Sequence, residues 1–434
     1  MSHRYLTTRG KARAFLIATT ATAAMILAGC SSSSSTGGGS QTPAGGASSA
    51  AAGSGTAAPA PGTSGSGASG APAQSSVSGA NPVVVGVMYT DDNPLGTSPE
   101  IKGAAVAAQQ YINAHGGIGG RALKVVPCNG ANNAQNDVQC ATEFVNDGAI
   151  TVQGLDAVWG GIGPAILAKS GVVNQTEPLA GPEFSNPNAY PWLGINVTGG
   201  AALADYVKQQ HGTAACMYID VAAEVPSCTT EFEKQLGTSI PLVPIAVTAN
   251  DMSQYVVKLS QSRAQYVSLN TDVNRAIAII QAANQIGYNP HWMMIEDFAR
   301  PDFFKALGSL AKGCVFFSDL ELPSYAADPD TAIFNAAMKQ YAPTTLIDNQ
   351  SVMAFSDLMT LQRLGNQQGG AKMTKADLPG LLSSIHGIKQ FMGPVLNSAT
   401  HLPSYPHDTH TGAYLWMWNG QAYQPLGQGY FEDA

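Results

Sequence analysis

Residues 83–88 read VVVGVM, and this stretch indicates the fold class. A short, uniformly apolar and β-branched run is typical of a parallel strand whose two faces are both buried. A polar loop then leads to Ser98, and the proline after it predicts that a helix begins there with Ser98 as its N-cap. The helix ends at Gly116-Gly117, and Leu123–Val126 predicts the next strand.

The alternation of strand and helix continues along the chain. Further helices are predicted near residues 133–147, 164–170, 200–210, 229–236, 252–261 and 274–286. Further strands are predicted near residues 150–153, 214–219, 242–246, 266–269, 292–295 and 314–317. This order is typical of βαβ units, in which helices cover a parallel sheet. Because about 350 residues from Pro82 onwards exceed one hydrophobic core, we expect two domains.

The last part of the chain has a different pattern. Helices are predicted near residues 330–341, 350–366 and 375–385, without strong strands between them. The apolar run Tyr414–Trp418 predicts a late strand, which we expect to rejoin one of the earlier sheets.

The N-terminus has the pattern of an export signal. Four basic residues precede an uncharged apolar run from Ala14 to Leu27, which is too short for a permanent membrane span of about 20 residues. The run ends in Leu-Ala-Gly-Cys30, which resembles the lipobox of bacterial lipoproteins. That resemblance implies a signal peptide over residues 1–29 and acyl chains on Cys30. The alternative is an ordinary cleaved signal followed by a chance cysteine.

A low-complexity segment follows the predicted signal. Residues 31–80 consist almost entirely of Ser, Gly, Ala, Thr, Pro and Gln, so they lack the large apolar side chains that would offset the entropy of ordering. We therefore predict a disordered tether over residues 30–81, with the acylated Cys30 at its start. A flexible coil of this length reaches about 40 Å.

Charge limits the classes of partner. Without the four basic residues of the signal, 17 Lys and Arg stand against 29 Asp and Glu, a net charge near −12. An acidic chain of this kind argues against a nucleic-acid partner and against capture of an acidic substrate by bulk charge.

Five cysteines follow Cys30 in the chain: Cys128, Cys140, Cys216, Cys228 and Cys314. The first four form two pairs, and the members of each pair are 12 positions apart, from a predicted strand to the region where the next helix begins. In an exported protein this spacing predicts two local disulfides, and four reduced core thiols are the alternative. Cys314 lies in an apolar run and is expected to be a buried free thiol.

Motifs for catalysis and metal binding are mostly missing from the sequence. There is no Gly-x-Ser-x-Gly elbow, no phosphate-loop lysine signature and no His-Glu-x-x-His. The glycines of residues 116–120 lead from a helix to a strand, whereas a dinucleotide fingerprint leads from a strand to a helix, so we predict a tight turn. His407-Asp-Thr-His410 lies in a loop-like segment, and we expect neither a metal nor a cofactor.

Trp159-Gly160-Gly161 is the most suggestive glycine-rich segment. It follows the predicted strand 150–153 and leads into a helix that begins at Pro164. Free backbone N–H groups at such a helix start can hold an anion such as a carboxylate, although a plain connector has the same composition.

Several of these segments together resemble one protein family. They are VVVGVM at 83–88, KGAA at 102–105, YINAHGGIGGR at 111–121, FVNDG at 144–148, LAGPEFSNP at 179–187, MMIED at 293–297 and MGPV at 392–395. The combination is similar to the branched-chain amino-acid (Leu/Ile/Val) binding proteins of ABC importers, over most of residues 82–425.

The resemblance implies a type 1 periplasmic binding fold, in which two doubly wound parallel α/β lobes are joined by three crossover segments. Lobe 1 is expected over residues 82–198 plus 322–395, and lobe 2 over residues 199–321 plus 396–434. The ligand would be enclosed in the cleft as the lobes close, beyond the carboxyl ends of the strands.

The resemblance also implies a set of ligand-binding positions: Trp159, Gly160, Gly161, Glu183, Ser185, Glu224, Asp272 and Glu296. Ser185 stands where the family has a Thr hydroxyl for the ligand carboxylate, and Glu296 matches a Glu that meets the ligand ammonium. The carboxylates at 183, 224 and 272 depart from the family pattern. They favour a ligand with amine, amide or several hydroxyl donors, and the plain alternative for each is a solvated residue at the rim.

These observations predict an exported, lipid-anchored solute-binding protein of an ABC importer, and not an enzyme. Its expected partners are a small-molecule ligand, the permease subunits and, through Cys30, the outer face of the cytoplasmic membrane, with the chain itself a monomer. Two rivals stay open. A tethered sensor would present the same ligand to a receptor, and an amidase would use the same acidic cleft for hydrolysis.

Overall fold

The computed structural model describes residues 77–91, 97–131, 133–154, 163–177, 186–220, 228, 230–325, 328–401 and 407–432. Within these residues the strands form two larger sheets and a separate two-stranded hairpin. The predicted α/β architecture with two sheets is confirmed.

The first sheet has the strand order β2-β1-β3-β4, and all of its pairings are parallel. Its strands are β1 (Ser78–Tyr89), β2 (Arg121–Asn129), β3 (Thr151–Gly154) and β4 (Val173–Asn174). Val83, Val85 and Val87 enter one apolar cluster, whereas Val84 and Met88 enter another. The strand is therefore buried on both faces, as its sequence predicts.

The second sheet has the order β13-β12-β9-β8-β7-β5-β6. Its strands are β5 (Ala214–Ile219), β6 (Leu242–Ile245), β7 (Tyr266–Asn270), β8 (His291–Ile295), β9 (Val315–Ser318), β12 (Gly412–Trp418) and β13 (Tyr423–Glu432). The first five of these pair in parallel, and β12 joins β9 antiparallel. The predicted late strand thus rejoins an earlier sheet. Strands β4 and β13, the hairpin of β10 (His386–Lys389) and β11 (Val395–Asn397), and the helix Pro301–Leu307 were not predicted from the sequence.

Eleven α-helices lie within the described residues. They are α1 (Glu100–Ala114), α2 (Ala134–Asn146), α3 (Gly163–Lys169), α4 (Ile195–Gln209), α5 (Thr230–Leu236), α6 (Ser253–Ser260), α7 (Val273–Gln285), α8 (Pro301–Leu307), α9 (Pro329–Tyr341), α10 (Asn349–Gln368) and α11 (Leu378–Leu382).

Helix contacts show where the chain passes from one sheet to the other. Helices α9 and α10 pack against α1, which lies on the first sheet, whereas α4 contacts β8, β9 and β12 of the second. The chain therefore crosses three times: before α4, between β9 and α9, and before β12. The lobe limits at 198, 321 and 395 stay predictions.

The start of α1 differs from the prediction. The N-cap position is Pro99, and no side chain caps the helix. Ser98 instead donates its backbone N–H to the Thr90 carbonyl at 2.8 Å, and its carbonyl accepts from Ile101. Pro99 itself has helical angles (φ −66°, ψ −20°), and the regular helix runs from Glu100 without a side-chain cap.

The glycine-rich stretch after α1 is a tight turn, as predicted. Gly116, Gly117, Gly119 and Gly120 all have positive φ, and the turn leads directly into β2. At Gly119 a Cβ would lie 2.2 Å from the Cα of Gly370, so the close approach of the two backbones also requires glycine.

Both predicted disulfides are confirmed. Cys128–Cys140 joins β2 to α2, and Cys216–Cys228 joins β5 to the residue two positions before α5, with Cα–Cα distances of 5.6 and 5.9 Å. Cys314 is free and buried. Among the described helices, none combines the length and the apolar character that a bilayer crossing requires.

Candidate ligand-binding site

Acidic and amide side chains follow the carboxyl ends of strands in both sheets. In the second sheet, Glu296 follows β8 and Asp319 follows β9. In the first sheet, Gln153 is the last residue but one of β3, and Glu177 comes shortly after β4. The carboxyl ends of parallel strands meet at one edge of a sheet, which is where α/β proteins bind their ligands.

Glu296 is the most unusual of these residues. Its side chain is only 5% exposed, and its Oε2 atom has no hydrogen-bond partner within the described part of the chain. Burial raises the pKa of this carboxyl well above its ordinary value, and the charges of Asp297, Asp319 and Glu177 raise it further. Glu177 follows β4 of the first sheet, so acids from both halves of the chain lie near Glu296.

Asp297 links the two halves directly. Its carboxylate accepts hydrogen bonds from Asn349 at 3.1 Å and from Gln350 at 3.0 and 3.1 Å. These two residues open α10, which packs with α1 on the first sheet. Burial raises the pKa of Asp297, and the two amide donors and the charge of Arg300 oppose that rise.

A carboxyl pair lies beside this contact. Asp348 caps α10, accepting from the backbone N–H of Ser351 at 3.1 Å, and its side chain hydrogen-bonds to that of Glu100. Burial, followed by the charge of Glu100, raises the pKa of Asp348 to about 8. The pair therefore holds a proton at neutral pH, with Asp348 as the donor.

The three crossings are tied together by buried polar groups. Asp319 accepts from Thr198 Oγ1 at 3.2 Å, and its Oδ1 lies 3.4 Å from His410 Nδ1. Gln390 Oε1 lies 3.0 Å from His410 Nε2, and the Gln390 amide donates to the Trp192 carbonyl at 3.1 Å. Each crossing therefore contributes at least one group to a single buried network.

Carboxyl groups are numerous among the described residues between the two edges. Besides the acids already named, Asp357 is buried in the middle of α10, and burial followed by the charge of Asp319 raises its pKa well above the ordinary value. Among the described residues, Arg300 lies near Asp297 and His410 lies near Asp319. Such a site favours a ligand that brings positive charge or several hydrogen-bond donors.

Two of the eight predicted ligand positions lie within the described residues. Glu296 lies buried at the sheet edge. Asp272 follows the neighbouring strand β7, but it caps α7 through Arg275 N at 2.9 Å and pairs with the Arg275 guanidinium at 2.5 Å. Its ligand role stays a prediction, and its contacts in the structure are the cap of α7 and the ion pair with Arg275. The other predicted positions lie outside the described residues: Trp159, Gly160, Gly161, Glu183, Ser185 and Glu224, together with the predicted lipidation site Cys30.

Several polar groups near Glu296 were not predicted from the sequence. Glu177 and Asp319 each follow a strand closely, so the rule for carboxyl ends would have found them once the strands were assigned. Asp357 carries another signal, because a charged residue in the middle of a buried helix is rare without a partner. The Asn349–Gln350 contact with Asp297 has no local signal, because it depends on how the two halves meet.

The loop from His407 to His410 is structural within the described residues. His407 stacks on Tyr190 with ring centroids 4.3 Å apart, and Asp408 accepts from the backbone N–H of His410 at 2.8 Å. Across the described ranges, no group of three or more His, Cys, Asp or Glu side chains is arranged to hold a metal ion.

Comparison with known proteins agrees with this geometry. The sequence model described as periplasmic binding protein matches residues 82–414. No curated protein matches the chain. Among solved structures, a possible leucine/isoleucine/valine-binding protein from Rhodopirellula baltica has a TM-score of 0.67 and 13% identity, covering 80% of this chain and 98% of its own.

Two further structures are similar at the same level. A branched-chain amino acid transporter substrate-binding protein from Streptococcus pneumoniae, in complex with isoleucine, has a TM-score of 0.65 and 16% identity, covering 80% of this chain and 99% of its own. A fatty acid ABC transporter substrate-binding protein from Thermomonospora curvata has a TM-score of 0.65 and 14% identity, covering 81% and 92%. At such identities the structures establish the fold, and the sequence model, which matches most of the chain, establishes the family: this protein belongs to the periplasmic binding proteins and has the type 1 fold of the leucine/isoleucine/valine-binding proteins.

Proposed function

We propose that this protein is the exported solute-binding component of an ABC importer. It captures a small polar ligand, an amino acid or a related amine, amide or carboxylate, between its two lobes and presents it to the permease. Acyl chains on Cys30 hold it at the outer face of the cytoplasmic membrane. Residues 31–80 form a tether that lets the folded part extend away from the membrane. The observation that carries the proposal is the buried Glu296 carboxyl, which lacks a partner for Oε2 and faces further acids across the cleft.

An ammonium group on the ligand would pair with the buried Glu296 carboxyl. A buried carboxylate is costly unless it is paired, and a cation beside Glu296 would lower the pKa of that carboxyl and pair with its open oxygen. Lobe closure then removes water from the pair and strengthens it. A fatty acid, the ligand class named for the Thermomonospora curvata relative, would bring a carboxylate into this negative field.

The remaining predicted positions complete the site in this proposal. Backbone N–H groups of Gly160 and Gly161 and the hydroxyl of Ser185 hold an anionic group of the ligand, such as an amino-acid carboxylate, and Trp159 stacks on a flat or apolar part. Glu183, Glu224 and Asp272 accept further donors of the ligand.

A screen of ligands tests the proposal. The chain from residue 30 onwards, carrying Cys30→Ser, is heated with amino acids, amides, polyamines and small carboxylates in turn. A ligand at about 100 times its dissociation constant stabilises the native state by about 2.7 kcal/mol, which raises the melting temperature by several degrees. We expect hits among compounds with an ammonium group. A response confined to compounds without a cationic group would contradict amine recognition, and turnover of a hit would favour the amidase.

The same substitution tests the anchor in cells. Cys30→Ser removes the acylated thiol, so the protein should move from the membrane fraction to the soluble exported fraction. The control is Cys314→Ser, which leaves Cys30 intact. An acylated Cys30→Ser protein that still fractionates with membranes would contradict the lipobox interpretation.

A further inference from the structure

A second recess opens beside Glu296. It is a cavity of about 620 Å³, which is within the range of complete small-molecule sites. Glu296 and Asp348, two acids of the edge described above, are among its lining residues. The rest of its wall is largely apolar and aromatic, and it includes Phe304, Trp418 and Tyr423.

The strand register shows how far apart two of the lining residues, Glu296 and Trp418, lie along the second sheet. Ile295 lies opposite Phe317, so Glu296 is level with Ser318, the last residue of β9. Met417 lies opposite Val315, so Trp418 is level with Cys314, and its N–H donates to the Cys314 carbonyl at 2.9 Å. Four residues of strand separate the two levels, which is about 13 Å.

The aromatic wall is a fixed structure. Phe304 of α8 stacks on Trp418 with centroids 4.2 Å apart, and the Tyr423 hydroxyl donates to the Ala299 carbonyl at 3.1 Å. These contacts hold the rings of the β12–β13 turn against α8, so the distal end of the cavity is preformed. Aromatic faces accept apolar chains and also attract cations.

We propose that this cavity receives the apolar substituent of the ligand whose ammonium group pairs with Glu296. The inference rests on the proposed function and names its substrate class: primary amines that carry a long or aromatic apolar group. The lining selects this occupant, because an ammonium group favours ionisation of the buried Glu296 carboxyl and pairs with it, and the remaining walls are largely apolar. A carboxylate with the same chain brings no positive charge to offset ionisation of Glu296.

A series of alkylamines tests the inference in the Cys30→Ser chain. Calorimetry measures the dissociation constants of n-butylamine, n-hexylamine and n-octylamine, with octanoate as the matched acid. Because each buried methylene contributes about 0.8 kcal/mol, we expect affinity to rise about fourfold per methylene, and octanoate to bind far more weakly than octylamine. Ala422 is exposed and lines the distal end, so Ala422→Trp should fill that end and abolish the gain from butylamine to octylamine.

Two further variants keep the test decisive. Ser324→Trp narrows the side wall from another exposed position and covers the case in which Ala422→Trp misfolds. Ala399→Trp, exposed and outside the cavity, should behave as the parent. The inference would be overturned if the amines bind with equal affinity, or if the rise in affinity from butylamine to octylamine persists in both cavity variants. Either result would leave the proposed pairing of an ammonium group with Glu296 in place. Tighter binding of octanoate would overturn the choice of head group, and a lack of binding by every amine would overturn the proposed amine recognition as well.

Discussion

The buried Glu296 carboxyl is the side chain whose charge state most affects ligand binding in the proposed site. It lies at the end of β8 with one oxygen unpartnered and with acids on both sides of the cleft. A buried carboxylate of this kind is unfavourable in the empty protein and favourable once a cation arrives. The same residue therefore explains both why the empty cleft binds protons readily and why a cationic ligand would bind there.

Glu296→Gln should weaken binding of an amine ligand at least a hundredfold. The change keeps the shape but strands the ligand charge in a dry site, at a cost of about 3–5 kcal/mol. In the proposed site, Ser185→Ala would remove one hydroxyl from the anionic group of the ligand and should cost less, about 1.5–3 kcal/mol. Calorimetry with a hit from the ligand screen measures both, and circular dichroism checks the fold.

The matched control for Glu296→Gln is Glu143→Gln, the same chemical change at an exposed position of α2. It should bind as tightly as the parent. If Glu296→Gln also binds like the parent, Glu296 is a rim residue and amine recognition must be abandoned, although capture between two lobes could still stand.

Asp408 gives the folded protein a pH dependence. Burial raises its pKa to about 7, with a smaller contribution from the charge of Asp319, and the backbone N–H and the ring of His410 oppose the rise. A carboxyl with a raised pKa binds more protons in the folded than in the unfolded state. Its contribution to the free energy of unfolding is therefore present below its unfolded pKa near 3.9 and is lost as pH rises through about 7.

Asp408→Asn should flatten the decline of stability between about pH 4 and pH 7, by up to about 4 kcal/mol across that window. The amide oxygen of Asn can still accept from the His410 N–H, so the loop keeps its main contact. Urea unfolding at several pH values measures the slope. Asp377→Asn, at an exposed position, should leave it unchanged. Parallel slopes for the parent and Asp408→Asn would contradict the raised pKa.

At the scale of elements, both disulfides repeat one design. Each joins a strand of a parallel sheet to the helix region that follows it, and each spans 12 positions. Each sheet therefore fixes one of its own strand–loop–helix connections covalently. The loop closed by Cys216–Cys228 contains Glu224, one of the predicted ligand positions, so this bridge bears on the cleft as well as on stability.

Replacing Cys128 and Cys140 together with Ser should reduce the free energy of unfolding by about 3 kcal/mol, the chain-entropy value for a loop of this length. Ligand affinity should change little, because this bridge joins β2 to α2 and neither of its cysteines is among the predicted ligand positions. The companion replacement of Cys216 and Cys228 should lower stability by a similar amount and also weaken binding. Denaturant unfolding and calorimetry separate the two effects. Peptide mapping of the parent that finds a bridge between the two sheets would refute the local pairing.

Element by element, the sequence predicted what depends on local periodicity. Buried parallel strands such as 83–88 were recognisable because both of their faces are apolar, and the helices between them because their apolar residues recur at helical spacing. The strand Tyr423–Glu432 carries Gln, Pro and Gly at intervals and lacks such a pattern, so it was missed. The resemblance marked Glu296, which lies buried at the sheet edge, and its ligand role stays a prediction. The contact of Asp297 with Asn349 was missed, because it depends on how distant segments meet.

At the scale of the whole molecule, a few contacts decide how the two lobes meet. Asp297 of the second lobe receives three hydrogen bonds from the start of α10, and this acid lies next to Glu296 in sequence. A ligand on Glu296 and the amides on Asp297 would therefore favour the same arrangement of the lobes. The contact couples lobe closure to ligand binding if the open state lacks it.

Asn349→Ala combined with Gln350→Ala should shift the molecule towards an open state. Hydrogen bonds to a charged group contribute about 1.5–3 kcal/mol each, so their loss should reduce the closed population and weaken apparent ligand affinity at least tenfold. The buried Asp297 would also lose the donors that oppose the rise of its pKa, so binding should become more dependent on pH. Calorimetry gives the affinity, and small-angle scattering with saturating ligand should show a larger radius of gyration than the parent.

Gln367→Ala with Gln368→Ala, at exposed positions near the end of the same helix, is the matched control and should match the parent in both measurements. Unchanged affinity and scattering in the Asn349/Gln350 variant would mean that the contact is present in open and closed states alike, so that closure depends on the ligand and the crossings alone.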